Sequence, residues 1–223
     1  MAIENLPQLE ERIRSSLITL DGQSDDACPI DPSPLGGDFG LRPGGRRPNF
    51  AEVTQTPAAV LLPLVTHAEG LTILLTRRTE RLRTHAGQVA FPGGRKEPRD
   101  RDLAETALRE TEEEIGLDRK WIALAGRLDR YQTVTGFLVT PFVGFVKAGF
   151  SLRIDPREVA ETFEIPFTLI TARRNFEIRS LIYEGQEREF YCLEHGGQVI
   201  WGATAGMLLN LCLRINRSTT PNN

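Results

Sequence analysis

Apolar positions early in the chain recur at helical spacing. Leu9, Ile13, Leu17 and Leu20 lie three or four residues apart, so residues 5–20 are expected to form an amphipathic helix. Residues 24–49 then break every period. Ten of those 26 residues are Pro or Gly, which reads as a long irregular linker or wrapping arm. Folded patterning begins near residue 57. The runs AAVLLPLV (58–65) and LTILLT (71–76) are short, apolar and rich in branched side chains, as buried strands are, with a turn at His67–Gly70 between them. WIALAGRLD (121–129) and FLVTPFVGFV (137–146) read the same way, and residues 176–201 suggest further strands. Residues 102–115 predict a helix capped by Asp100 or Asp102 and ended by Gly116; residues 203–215 predict a final amphipathic helix. The expected division is an N-terminal helix and arm (1–50), a folded domain (51–216) and a polar tail (217–223).

Composition narrows the class. Apolar residues make up 40% of the 223 and charged residues 26%, enough for a core without staples. The net charge of −3 argues against a nucleic-acid partner, and no apolar run reaches membrane-spanning length. The acid-bearing N-terminus resembles neither a signal nor a transit peptide. Cys28, Cys192 and Cys212 are odd in number and scattered, so a reducing, cytoplasmic setting is expected.

The segment Arg109-Glu110-Thr111-Glu112-Glu113-Glu114-Ile115-Gly116-Leu117 changes the picture most. On a helix turning about 100° per residue, Glu113 and Glu114 fall about 60° and 40° to either side of Glu110, while Glu112 points away. Like charges at these spacings each cost about 0.2–0.5 kcal/mol. The macrodipole adds about 0.3–1 kcal/mol for each acid in the last turns. A divalent cation removes the objection. The candidate ligands are all carboxylate oxygens, and Cys192 and His195 have no second pair to make a zinc site, so Mg²⁺ or Mn²⁺ is implied. Without an ion, the same run reads as a solvated acidic face.

Upstream, Gly93 and Gly94 in Phe91-Pro92-Gly93-Gly94-Arg95 allow close backbone approach to an anion. Residues 77–101 hold eight basic against three acidic side chains, an excess suited to phosphate within an acidic chain. Asp38-Phe39-Gly40 matches a kinase triplet, but no kinase catalytic loop follows it.

Taken together, these residues resemble the Nudix family, whose box reads G-x5-E-x7-R-E-U-x-E-E-x-G-U. Its second half is present at Arg109–Leu117, preceded by Gly94. A second motif resembles that of the coenzyme A-type members: Leu74-Leu75-Thr76-Arg77-Arg78-Thr79, then Arg83, Gly87 and Phe91-Pro92-Gly93-Gly94. Three positions depart. Thr79 replaces Ser or Ala, Thr111 stands where the box has an aliphatic residue, and the loop from Gly94 to Arg109 is one residue longer. The first box acid therefore falls on Arg101, between Asp100 and Asp102.

The resemblance implies an α/β fold, an α/β/α sandwich around a mixed, curved sheet. It implies metal-dependent hydrolysis of the pyrophosphate of coenzyme A or its thioesters, giving 3′,5′-ADP and a 4′-phosphopantetheine moiety. Glu110 and Glu114 would be the principal metal ligands and Glu113 a third ligand or water-orienting base. Arg109 would lock a glutamate rotamer. Glu158 is a candidate ligand or base outside the box, with Glu161 in reserve; their spacing also suits a solvated helix face. Arg78 and Arg83 are candidates for the substrate's phosphates, with Gly93 and Gly94 beside them and Thr84 and Gln88 on the same loop. Trp201 is expected in the core rather than under an adenine. Two alternatives stay open: hydrolysis of another nucleoside diphosphate such as ADP-ribose or a dinucleotide, and an inactive nucleotide-binding regulator. The oligomeric state is open, a homodimer included.

Overall fold

A computed structural model describes residues 5–20, 37, 55–82, 84–183 and 186–217. Arg83, Cys28, the Asp38-Phe39-Gly40 triplet and nearly all of the Pro/Gly-rich arm lie outside the described residues.

Helix α1 spans Leu6–Ser16. Asn5 and Gln8 form a reciprocal capping box, and Pro7 sits in the first turn, where its missing N–H costs nothing. The helix stops short of the expected residue 20: Leu17 takes an extended backbone and Ile18 pairs with Arg127 instead.

Strand β1 (Thr56–His67) turns into β2 (Gly70–Arg78), as the sequence predicts. Two short strands follow, β3 (Val89–Ala90) and β4 (Gly93–Arg95), then helix α2 (Leu103–Ile115). Next come β5 (Ile122–Arg127), β6 (Tyr131–Gln132), β7 (Phe137–Lys147) and β8 (Val159–Pro166). These eight strands form one sheet with β1 and β7 parallel at its centre. β2, β4, β5, β6 and β8 join antiparallel, with register shifts at Arg77/Arg78 and Leu124/Gly126 that bend the outer strands. A separate antiparallel sheet holds β9 (Glu177–Tyr183), β10 (Gln186–His195) and β11 (Gln198–Trp201). Helix α3 (Gly202–Arg217) closes the described chain.

The period-two alternation of the strands explains the layers. From β1, Leu62 and Leu64 face the core shared with α1 and α3, which also holds Ile73, Leu75, Val143, Leu208 and Leu211. Ala59 and Leu61 face the other way, onto Leu103 and Ala107 of α2. Val65, Leu74 and Val146 continue that second side against Ile115 and Leu117. Because both faces are covered, β1 reads as an unbroken apolar run rather than an alternating one. The result is the expected α/β/α sandwich around a mixed, curved sheet.

Candidate active site

Helix α2 is fixed at both ends by the residues its sequence supplies. Asp102 accepts a hydrogen bond from the Glu105 N–H, and Gly116 closes the helix in the left-handed region at φ 66°. Two orphan carbonyls of the last turn find donors in the segment that follows β7. Arg153 N–H reaches Ile115 O at 2.8 Å, and Asp155 N–H reaches Glu114 O at 2.9 Å. That docking brings the turn carrying Glu158 to the acidic helix.

The helical phasing holds. Glu114 is buried, with 4% of its side chain exposed. Glu110 is nearly so, and Glu112 points away to Arg119 at 3.2 Å. Glu113 departs from the face it was expected to share: it is exposed, and Arg99 (3.0 Å) and Arg109 (2.9 Å) hold it. Among the described residues, no three His, Cys, Asp or Glu side chains come together as a ready-made metal cage.

The glycine pair is shaped around these carboxylates. Gly93 N–H donates to Glu114 Oε2 at 3.1 Å, so the amide serves a protein carboxylate. A Cβ on Gly94 would stand 2.5 Å from Glu110 Cδ, and one on Gly93 2.4 Å from the Ala59 carbonyl oxygen. Only glycine lets β4 lie between β1 and the acids.

Arg109 is buried and fully engaged. Its Nε meets Asp100 Oδ1 at 2.7 Å, Nη2 meets Asp100 Oδ2 at 3.0 Å and the Arg95 carbonyl at 3.2 Å, and Nη1 meets Glu110 Oε1 at 2.9 Å. It orients the helix carboxylates from behind. Asp100, one of the two cap candidates, is not the cap but the partner of Arg109. It also accepts from Thr106 Oγ1 (2.9 Å) and Glu97 N–H (2.8 Å), while Asp102 does the capping. The extra residue in the loop therefore moves the acid that pairs with Arg109 one place upstream of Arg101. The Arg109 guanidinium, with these further donors, holds the Asp100 carboxyl well below the usual carboxylate range.

The two inner glutamates behave alike, and opposite to Asp100. Burial pushes the Glu114 carboxyl up to about 8; Gly93 N–H and Arg78 act against this, and Glu110 and Glu158 add to it. Burial raises Glu110 as well, against the pull of Arg109 and with the push of Glu113 and Glu158. Two adjacent carboxyls short of positive charge, facing a cavity, match a hard cation bound by one or two carboxylates and completed by substrate phosphates.

Glu110, Glu114 and Glu158 open on a cavity of about 870 Å³, shared by Arg78, Thr84, Gln88, Gly93 and Gly94. Arg78 Nη1 lies 3.7 Å from Glu114 Oε1, and its buried Nε has no hydrogen-bond partner among the described residues. Glu161 stands apart on strand β8, not on a helix, paired with Arg77 at 2.7 Å and with Gln198. Trp201 departs from its expected place in the core: it is half-buried and lines the cavity beside Phe190, ring centroids 5.2 Å apart. Its position on a short strand ahead of α3 left no periodic signal of that.

The profile of the NUDIX domain matches residues 55–177, more than half the chain, and the chain belongs to this family of hydrolases. The uncharacterized Nudix hydrolase NudL of Photorhabdus laumondii is 39% identical over 158 residues, covering 71% of this chain and 84% of its own. That of Yersinia pestis (strain Pestoides F) is 38% identical over 168 residues, covering 75% and 84%. Among solved structures, a MutT/nudix family protein from Enterococcus faecalis aligns over 77% of this chain and 65% of its own, at 16% identity and a TM-score of 0.49. The protein is thus a pyrophosphohydrolase of a family that generally uses divalent metal ions and acts on small nucleotide diphosphates. No helix among the described residues is long and apolar enough to cross a membrane.

Proposed function

We propose that this enzyme uses Mg²⁺ or Mn²⁺ to hydrolyse the pyrophosphate of coenzyme A or its thioesters, releasing 3′,5′-ADP and a 4′-phosphopantetheine moiety. The observation that carries the reading is the meeting of two motifs in one cavity. Arg78 and Gln88, from the coenzyme A-type stretch 74–94, line the same space as Glu110 and Glu114 from the box. An arginine beside carboxylates that would hold a cation suits a substrate with more than one phosphate.

Glu110 and Glu114 would hold the cation. When bound, it neutralises phosphoryl oxygens and makes a water acidic enough to act near neutral pH. The remaining work belongs to the chain. Arg109, braced by Asp100, keeps Glu110 aimed at the cavity. Glu158, exposed at the rim and electrostatically coupled to both inner glutamates, accepts the proton of the attacking water. Glu113 takes that part only by leaving Arg99 and Arg109. Arg78 offers its guanidinium to the pyrophosphate.

The test is a panel of coenzyme A, acetyl-coenzyme A, ADP-ribose and NADH with Mg²⁺ or Mn²⁺, products identified by mass. Appearance of 3′,5′-ADP from the first two is expected. Cleavage of ADP-ribose or NADH alone would overturn the substrate assignment.

A further inference from the structure

The cavity extends beyond the acids to a second wall of different chemistry. Cross-strand pairing places Leu181, Arg188, Phe190 and Trp201 on one face of the β9–β11 sheet. All four line the cavity, joined by buried Met207 from α3. The NUDIX match ends at residue 177, where β9 begins, so this wall lies outside the matched stretch that carries the acids.

The wall's polarity selects what it receives. Phe190 and Trp201 meet at 58°, so they form a cornered apolar surface rather than a parallel slot for a planar base. Two of the polar side chains that share the cavity are turned to protein partners: Thr204 donates to the Val89 carbonyl at 3.0 Å, and Gln88 bonds His85 at 2.8 Å. An adenine edge would find little to bond, whereas a saturated chain needs only area to cover. We propose that this wall receives an apolar acyl chain carried on the thiol end of the substrate, making Phe190 and Trp201 specificity-determining residues for apolar thioesters. The inference rests on the coenzyme A reading above.

The experiment compares kcat/KM for hexanoyl- and acetyl-coenzyme A in the full-length enzyme and in Trp201→Ala and Phe190→Ala. Full burial of a methylene is worth roughly fourfold, so a partly covered four-carbon extension should give a ratio of about ten or more. In either variant the ratio should fall to within about twofold of one. Where an alanine variant does not fold, Trp201→Leu or Phe190→Leu replaces it, and a fall of about threefold is expected. A wild-type ratio near one, or a ratio retained in the variants, overturns the acyl wall while leaving coenzyme A as substrate. Turnover of ADP-ribose with no coenzyme A species cleaved overturns both.

Discussion

Glu114 is the most deeply buried carboxyl that lines the cavity. Glu114→Gln and Glu110→Gln should each lower kcat by about a hundredfold or more with the fold retained, measured by turnover and circular dichroism. Glu112→Gln should stay within about twofold, since its carboxylate faces Arg119 outside the cavity. The raised Glu114 value also makes a stability statement. Its ordinary value is 4.5 and its folded value about 8, so the folded state holds more protons between them. Stability of the cation-free protein therefore falls as pH rises through that window. Melting temperatures measured in chelator from pH 5 to 8 should show the decline, and Glu114→Gln should flatten it. Asp100 works the other way: its carboxyl is depressed, so the stability it lends is present above its ordinary value of 3.8 and lost in stronger acid. At this scale the inward turn of Glu110 and Glu114 and the outward turn of Glu112 were legible, because helical geometry follows from spacing alone; Glu113, expected on the same face, is exposed and held by Arg99 and Arg109. Asp100 was not, because only the fold shows which of three neighbouring positions turns inward.

At the scale of elements, α2 and β4 form one device. The helix presents carboxylates and the strand lies against them without side chains. Gly94→Ala should displace the Glu110 carboxylate and cost at least about tenfold in kcat, since its Cβ would stand 2.5 Å from Glu110 Cδ. Asp102→Ala removes the N-cap and an exposed ion pair with Arg101 at 2.9 Å, and should cost about 1 kcal/mol of stability by denaturant titration. The limits of α2 were legible because caps are local chemistry. β3, β4 and β6 were not, since two- or three-residue strands carry no period, and the eight residues of β8 open on an ambiguous stretch. Glu158-Val159-Ala160-Glu161 fits a strand as well as a helix until Arg77 and Thr79 pair beside it.

Over the whole molecule, one polar clamp ties the C-terminal helix to the sheet and to α1. Arg214 meets Asp129 through Nε at 3.0 Å and Nη2 at 2.7 Å, and its Nη1 reaches the Ser16 carbonyl at 3.1 Å. Arg214→Met should leave Asp129 short of its counter-charge and lower stability by about 2–3 kcal/mol, read as a shift in the urea midpoint. The effect on the kcat of the folded fraction should be small, because the clamp lies away from the acids.

By itself, the sequence determined the helix that carries the acids, its closing glycine and the motifs that resemble the family, and through that resemblance the expected class of fold. The helix and its end depend on spacing within a few residues, where backbone geometry sets which side chains share a face. The tertiary structure decided that Asp100 braces Arg109, that Gly93 donates to Glu114, that the loop after β7 brings Glu158 to the helix, and that Trp201 faces a cavity. Those contacts join residues distant in the chain or choose among equivalent neighbours. What settles them is the burial of both faces of the sheet, which no local pattern contains.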